Sequence, residues 1–299
     1  MTRTQRGPRR IPPGLKRLLL PLYNGGWRLI WRVGEYAESL INWRIARCAA
    51  CGSTGPMLYR RRVIPDRLAE LWGLSPRRAE ALARKESLDC WRCGAKLRAR
   101  RIAQRLLDLY TPRHASICAW ADDPGPDPPR VAEINRVEGL HDQLARLPGA
   151  ACSDFLDDAR PGEIINGTRH EDLMALTYAD ASFDLIVTSE TLEHVPDLST
   201  ALAEIRRVLV PGGRHVFTVP LLPGVESTYA RSSIIDGRLI HHAPPIRHPG
   251  GDVGYPVYTE FGADFPDILR RAGFEVEVHC GPTTEDDLAQ VYVTRRPCG

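Results

Sequence analysis

An open, twisted α/β sheet with helices on both faces, preceded by a small metal-binding module, is the fold class that this 299-residue sequence predicts. Three observations predict it. Strand-like segments alternate with helical ones beyond residue 130, two CxxC pairs stand in the first hundred residues, and a proline-rich break separates the two regions. The strand-like segments are 131–135 (ValAlaGluIleAsn), 151–155 (AlaCysSerAspPhe), 183–189 (PheAspLeuIleValThrSer), 214–219 (ArgHisValPheThrVal), 274–278 and 290–294. The 183–189 segment is apolar almost throughout, as a central strand buried on both faces must be. Helical segments at 140–147, 199–209 and 262–272 fill the intervals, and Gly273 is placed to end the last in a left-handed cap.

Before the break the pattern differs. Residues 1–15 are rich in Pro and Arg and are expected to be disordered. Residues 27–47 interleave Trp27, Ile30, Trp31, Tyr36, Leu40, Ile41, Trp43 and Ile45 with Arg at roughly helical spacing, which suits docking on the protein body or a peripheral membrane contact. Residues 64–86 read as helical, with Leu68, Leu71 and Trp72 on one face, Ser75 as an N-cap and Pro76 at the first helical position. A second helix is expected from Leu97 to Tyr110. Residues 121–130 hold four prolines and three aspartates, which no helix or central strand tolerates. The expected division is therefore a basic arm (1–47), a cysteine module (48–120), a linker (121–130) and an α/β domain (131–299) with an insertion at 221–259.

The net charge of +3 conceals an asymmetry: residues 1–105 carry +17 and residues 106–299 carry −14. A basic module of this kind either binds an outside polyanion, nucleic acid included, or docks on the acidic part of its own chain. Only Lys16, Lys85 and Lys96 among the 40 basic residues are lysine, which suits bidentate contacts and equally suits a GC-rich genome. Eight cysteines are too few for a disulfide scaffold. Four of them, Cys48 and Cys51 with Cys90 and Cys93, form two CxxCG knuckles whose spacing satisfies a tetrahedral structural Zn²⁺, redox use being the alternative. No run approaches the ~20 apolar residues of a membrane span. No A-x-A-like cleavage site follows an apolar region at the start, so a cytoplasmic location is expected.

The densest signal lies between 163 and 220. An Asp-Leu pair at 172–173, a Leu-x-Tyr turn, Ser-Phe-Asp opening the 183–189 strand, Glu-His-Val at 193–195, Glu-Ile-Arg-Arg-Val-Leu at 204–209 and Pro-Gly-Gly at 211–213 follow in order. This region resembles the class I S-adenosylmethionine-dependent methyltransferases of type 11, over roughly 130–296, which implies a Rossmann-like fold. The knuckles together with HisProGlyGlyAspValGlyTyrProValTyrThrGluPheGly (248–262) look like a bacterial subgroup associated with glycan or natural-product modification.

The resemblance implies S-adenosylmethionine as cofactor and nominates its contacts. Asp154 would accept the ribose hydroxyls, Asp172 and the Leu173 amide would meet the adenine, and Ser189 and Glu190 would lie nearest the transferring methyl. A carboxylate after a strand is also a common helix cap. One departure stands out. Where the family carries an acidic residue and a glycine-rich loop, this chain has GluIleAsnArgValGluGlyLeuHis (133–141), leaving Glu133 or Glu138 for the methionine ammonium and only Gly139 of the glycines. His194 and His248, the latter with Asp252, are candidate catalytic residues for a hydroxyl acceptor, which needs a general base. The expected function is methyl transfer to a small-molecule or glycan acceptor, a sugar hydroxyl or a carboxyl group. The alternative is a non-catalytic scaffold whose basic module binds RNA or protein; a nicotinamide-dependent reductase is disfavoured because no GxGxxG follows a strand.

Overall fold

The structure, a computed structural model, describes residues 44–59, 63–64, 66–221, 224–248, 254–281 and 288–299. The disordered segment and most of the aromatic stripe expected before residue 44, and Asp252, lie outside the described residues, as do the side chains of Leu68 and Leu71.

The knuckles frame a three-stranded antiparallel sheet of β1 (Arg44–Arg47), β2 (Thr54–Leu58) and β3 (Asp89–Cys90). The main sheet has eight strands: β4 (Val131–Ile134), β5 (Ala151–Asp154), β6 (Ile164–Ile165), β7 (Thr168–His170), β8 (Phe183–Ser189), β9 (Leu209–Thr218), β16 (Glu275–His279) and β17 (Val291–Arg295). Between β9 and β16 the insertion forms short ladders from β10 (Tyr229–Ala230), β11 (Ser232–Ile235), β12 (Arg238–His241), β13 (Arg247–His248), β14 (Tyr255–Pro256) and β15 (Thr259–Glu260). The main sheet runs in the order β16-β17-β9-β8-β4-β5-β7-β6. Strands β9, β8, β4, β5 and β7 are parallel, with Val131 opposite Leu185 and Ile186 opposite His215, and β17 is inserted antiparallel beside β9. From β4 the chain proceeds to β5 and β7 on one side and then returns to β8 on the other. The topological switch point, where an open α/β sheet opens a crevice at its carboxyl edge, therefore lies between β4 and β8.

Alternation along the strands builds two cores. Val131, Leu185, Val187, Val216, Val291 and Val293 face one side, where Ala99, Ile102, Ala103, Leu106 and Leu107 of the Leu97–Tyr110 helix cover them. Ala132, Ile186, Phe217 and Tyr292 face the other, against Leu202 and Ile205 of the Leu198–Val208 helix and Phe265 and Leu269 of the Phe265–Arg271 helix. The first core also contains Cys48, Met57, Cys90 and Ala95. Packing thus continues from the knuckles through the 97–110 helix into the sheet.

Several expectations shift locally. The stretch read as helical over 64–86 holds two helices, Asp66–Leu71 and Pro76–Ser87, separated around Gly73 with φ +60°, the second starting at the expected Pro76. Ser75 does cap the second: its Oγ accepts the Arg78 N–H at 3.3 Å, with Pro76 following it. Strand β9 starts at Leu209, ahead of the expected 214, because Val-Pro-Gly-Gly forms a bulge between the pairs Phe183–Leu209 and Leu185–Arg214. The Ile117–Asp122 helix was not expected, although Ser116 caps it by accepting the Ala119 N–H at 3.1 Å. Among the described residues, no helix is long and apolar enough to cross a membrane.

Inside the sheet, His215 is fully buried on β9 and its Nε2 lies 2.9 Å from Thr188 Oγ1. Burial lowers its pKa from 6.5 to about 3, so the unfolded chain takes up this proton first as acid is added. Folding stability is expected to fall between pH 6.5 and pH 3 on this account, and His215→Phe to flatten that part of the pH dependence in denaturant titrations.

Candidate functional site

Strand β8 is followed at the carboxyl edge of the sheet by two carboxylates, Glu190 and Glu193. Glu190 adopts φ +51°, which a residue with a Cβ rarely accepts, and its N–H donates to the Thr218 carbonyl at 3.0 Å. Ser189 Oγ meets Thr218 Oγ1 at 2.9 Å, so the ends of β8 and β9 are tied together. The turn brings Glu190 Oε2 within 2.8 Å of Lys85 Nζ, on the 76–87 helix of the N-terminal module, and the lysine side chain is only 2% exposed. Burial alone would raise the Glu190 pKa, but the charges of Lys85 and Arg98 outweigh it and hold the carboxyl below its ordinary range. Arg98 itself pairs with Glu86 on that helix.

Glu193 follows on the Leu192–His194 turn with a fully buried side chain, and neither carboxylate oxygen has a hydrogen-bond partner. Burial, reinforced by the Glu190 charge, raises its pKa well above the ordinary value. His194 Nδ1 lies 2.7 Å from the Pro256 carbonyl and so carries the proton it donates there. Nε2 is thereby left as a lone-pair donor, 3.5 Å from Glu193 Oε1. His248 Nδ1 lies 3.7 Å from the same oxygen. Burial lowers the pKa of both imidazoles, that of His248 to about 4, helped by His194. The structure thus brings the two candidate histidines together, with ring centroids 5.1 Å apart, around a glutamate that sequence reasoning passed over inside its own Glu-His-Val motif.

On the β4 side the candidate residues are engaged within the protein. Glu133 Oε1 accepts the Val137 N–H at 2.9 Å and Oε2 pairs with His141 Nδ1, so this carboxylate holds the loop that follows it. Asp154 accepts the Arg136 N–H at 2.8 Å and pairs with Arg136 Nε at 2.8 Å. Glu138 pairs with Lys96 of the module at 2.7 Å. Gly139, at φ +76°, packs on the second knuckle: a Cβ there would lie 2.3 Å from the Ala95 Cα. Asp172 Oδ1 accepts the Met174 N–H at 2.8 Å, and Leu173 is buried beneath it. Nothing local in the sequence pointed to Lys85 or to the Arg136–Asp154 pair, since both depend on the docking of separate segments.

The four cysteines converge. Cys48 and Cys93 Sγ are 3.7 Å apart, Cys51 and Cys90 Sγ are 3.8 Å apart, and all four lie within 4.8 Å of one another. Four thiolates at about 2.3 Å from a tetrahedral Zn²⁺ would be about 3.8 Å apart, so the donor set fits that ion. Gly52 and Gly94 take the left-handed conformation, at φ +79° and +71°, that turns each knuckle.

Comparison with known proteins places this crevice in context. The family described as "Methyltransferase domain" matches residues 152–217, which run from β5 almost to the end of β9. Over 126 residues the chain is 39% identical to 27-O-demethylrifamycin SV methyltransferase of Amycolatopsis mediterranei (strain S699), an alignment covering 40% of this chain and 38% of that protein. Over 64 residues it is 42% identical to demethylmenaquinone methyltransferase of Staphylococcus aureus (strain JH9), covering 20% and 27% respectively. The chain therefore spans well under half the length of these relatives. Among solved structures, an S-adenosylmethionine dependent methyltransferase from Mesorhizobium loti aligns with TM-score 0.38 and 20% identity, over 56% of this chain and 91% of that one.

Replacing Lys85 with Met leaves the largely buried Glu190 charge with only that of Arg98 to offset it, and is expected to cost about 3 kcal/mol of stability in urea unfolding. Adding Glu190→Gln to Lys85→Met should recover most of that loss, because the buried charge is then gone.

Proposed function

We propose that this protein is an S-adenosylmethionine-dependent methyltransferase whose N-terminal module holds a structural zinc. The observation that carries the reading is where the methyltransferase-domain match falls. Residues 152–217 contain Asp154, Asp172, Leu173, Ser189, Glu190 and His194, and they include the loop that lines the switch-point crevice on the β8 side. In this reading Asp154 and Asp172 hold the ribose and adenine, and Ser189 and Glu190 border the methionine end. Glu133 shapes the loop beneath it through Val137 and His141. The cofactor supplies an electrophilic methyl group, and the protein's part is to align it with the acceptor and keep water out. His194 and His248 border the acceptor side, and the 221–259 insertion carries His248 onto the turn after β8 through the contact of Pro256 with His194. The acceptor is a small molecule in this reading, with a sugar hydroxyl or carboxyl group as the working class.

A second reading, a scaffold that no longer binds cofactor, draws on one specific observation: Arg136 already occupies Asp154. Calorimetry separates the two. Micromolar binding of S-adenosylhomocysteine that is abolished by Asp172→Ala is the expected outcome, whereas no binding at millimolar ligand would leave the scaffold.

For the basic module, the pairs Lys85–Glu190 and Lys96–Glu138 support docking on the chain's own acidic domain over an external nucleic acid. The zinc assignment has its own check: changing Cys90 and Cys93 together to Ser is expected to remove about one zinc per chain by metal analysis.

A further inference from the structure

We propose that Glu193, His194 and His248 form a second metal site, for a divalent first-row transition ion, distinct from the four cysteines. Three independent features converge on it. First, the donor atoms are already gathered. Glu193 Oε1 lies 3.5 Å from His194 Nε2 and 3.7 Å from His248 Nδ1, and the set falls within 4.8 Å. Donors at about 2.1 Å from one ion stand about 3.4 Å apart in tetrahedral geometry, so the three need only small adjustments. Second, Glu193 is fully buried and both of its oxygens lack hydrogen-bond partners, a costly arrangement that a cation in the cluster would relieve. Third, His194 is oriented as a ligand: its Nδ1–H is committed to the Pro256 carbonyl at 2.7 Å, which fixes the tautomer and presents Nε2 to the cluster.

The site joins two distant parts of the chain. Glu193 and His194 stand on the turn after β8, and His248 comes from β13, which pairs with β14 so that His248 lies opposite Tyr255. The backbone reinforces the junction, with the Tyr258 N–H donating to the Glu193 carbonyl at 2.7 Å. The imidazoles keep an open side, His194 being 21% and His248 32% exposed, so a three-ligand ion would retain positions for water or an acceptor oxygen. One carboxylate and two imidazoles suit Mn²⁺, Fe²⁺, Co²⁺ or Zn²⁺.

What the ion would do rests on the methyl-transfer reading; whether it binds does not. Bound to an acceptor hydroxyl, it lowers the pKa of that group and the proton leaves to solvent. The oxygen lone pair then forms the bond to the methyl carbon, the carbon–sulfur bond breaks, and its electron pair stays on sulfur as S-adenosylhomocysteine.

The probe is Mn²⁺, a hard ion that does not displace zinc from four thiolates. The full zinc-loaded chain, freed of weakly held metal, is titrated with Mn²⁺ while the free-ion paramagnetic resonance signal is followed. About one equivalent per chain is expected to bind, and Glu193→Gln and His248→Gln each to weaken it roughly tenfold or more with zinc content unchanged. On the unmutated chain, electron spin-echo spectra of the bound ion should show nitrogen coupling from imidazole, so a variant that misfolds leaves the proposal testable. Absence of binding at millimolar Mn²⁺, variants that bind as the parent does, or bound Mn²⁺ without nitrogen coupling would each overturn it. Binding of S-adenosylhomocysteine, measured separately, shows whether the methyl-transfer reading stands or falls on its own.

Discussion

The Lys85 ammonium, its side chain only 2% exposed, meets a glutamate 105 residues away at 2.8 Å. Much of the crevice depends on that contact. The Glu190 backbone sits in a conformation that L-residues avoid, tied to Thr218, and Lys85, with Arg98, offsets the cost of burying its charge. Because Lys85 stands on the 76–87 helix, the N-terminal module is a wall of the candidate site. The core beneath it is continuous with the sheet, so the module is held by apolar packing and positioned by charge.

The knuckles reach the other half of the crevice by a different route. Gly94 and Ala95 lie so close to the loop after β4 that Gly139 has no room for a side chain, and Lys96 pairs with Glu138 beside it. In this chain Gly139 therefore serves contact between protein segments. Val137 is drawn into the shared core, and Arg136 turns outward onto Asp154. The four-cysteine cluster and the shape of the β4 loop are thereby mechanically linked: loosening the four cysteines would release the surface on which Gly139 rests.

The charge asymmetry acquires a structural meaning from the same contacts. Part of the basic excess before residue 105 faces the acidic domain, at Glu190 and Glu138, and part is neutralised within the module, as Arg98 is by Glu86.

Local chemistry made a good part of this protein legible in its sequence. The Leu97–Tyr110 helix and the Phe183–Ser189 strand fall where periodicity put them, Ser75 and Pro76 start their helix, and the CxxCG spacing gathers four thiols. Each depends on residues a few positions apart, whose spacing alone decides which side chains share a face. Candidates such as Asp154, Asp172, Ser189 and His194 could be nominated from the sequence because strand ends and motifs are also local. Tertiary structure decided the rest: that the 97–110 helix covers the sheet, that Arg136 occupies Asp154, that His248 meets His194, that Lys85 meets Glu190, and that Glu193 lies beside both histidines. These depend on segments about 50 to 100 residues apart, or on the short-range path of the β4 loop, being brought together by packing. The burial that gives a lysine or a glutamate its altered chemistry exists only once that packing is complete.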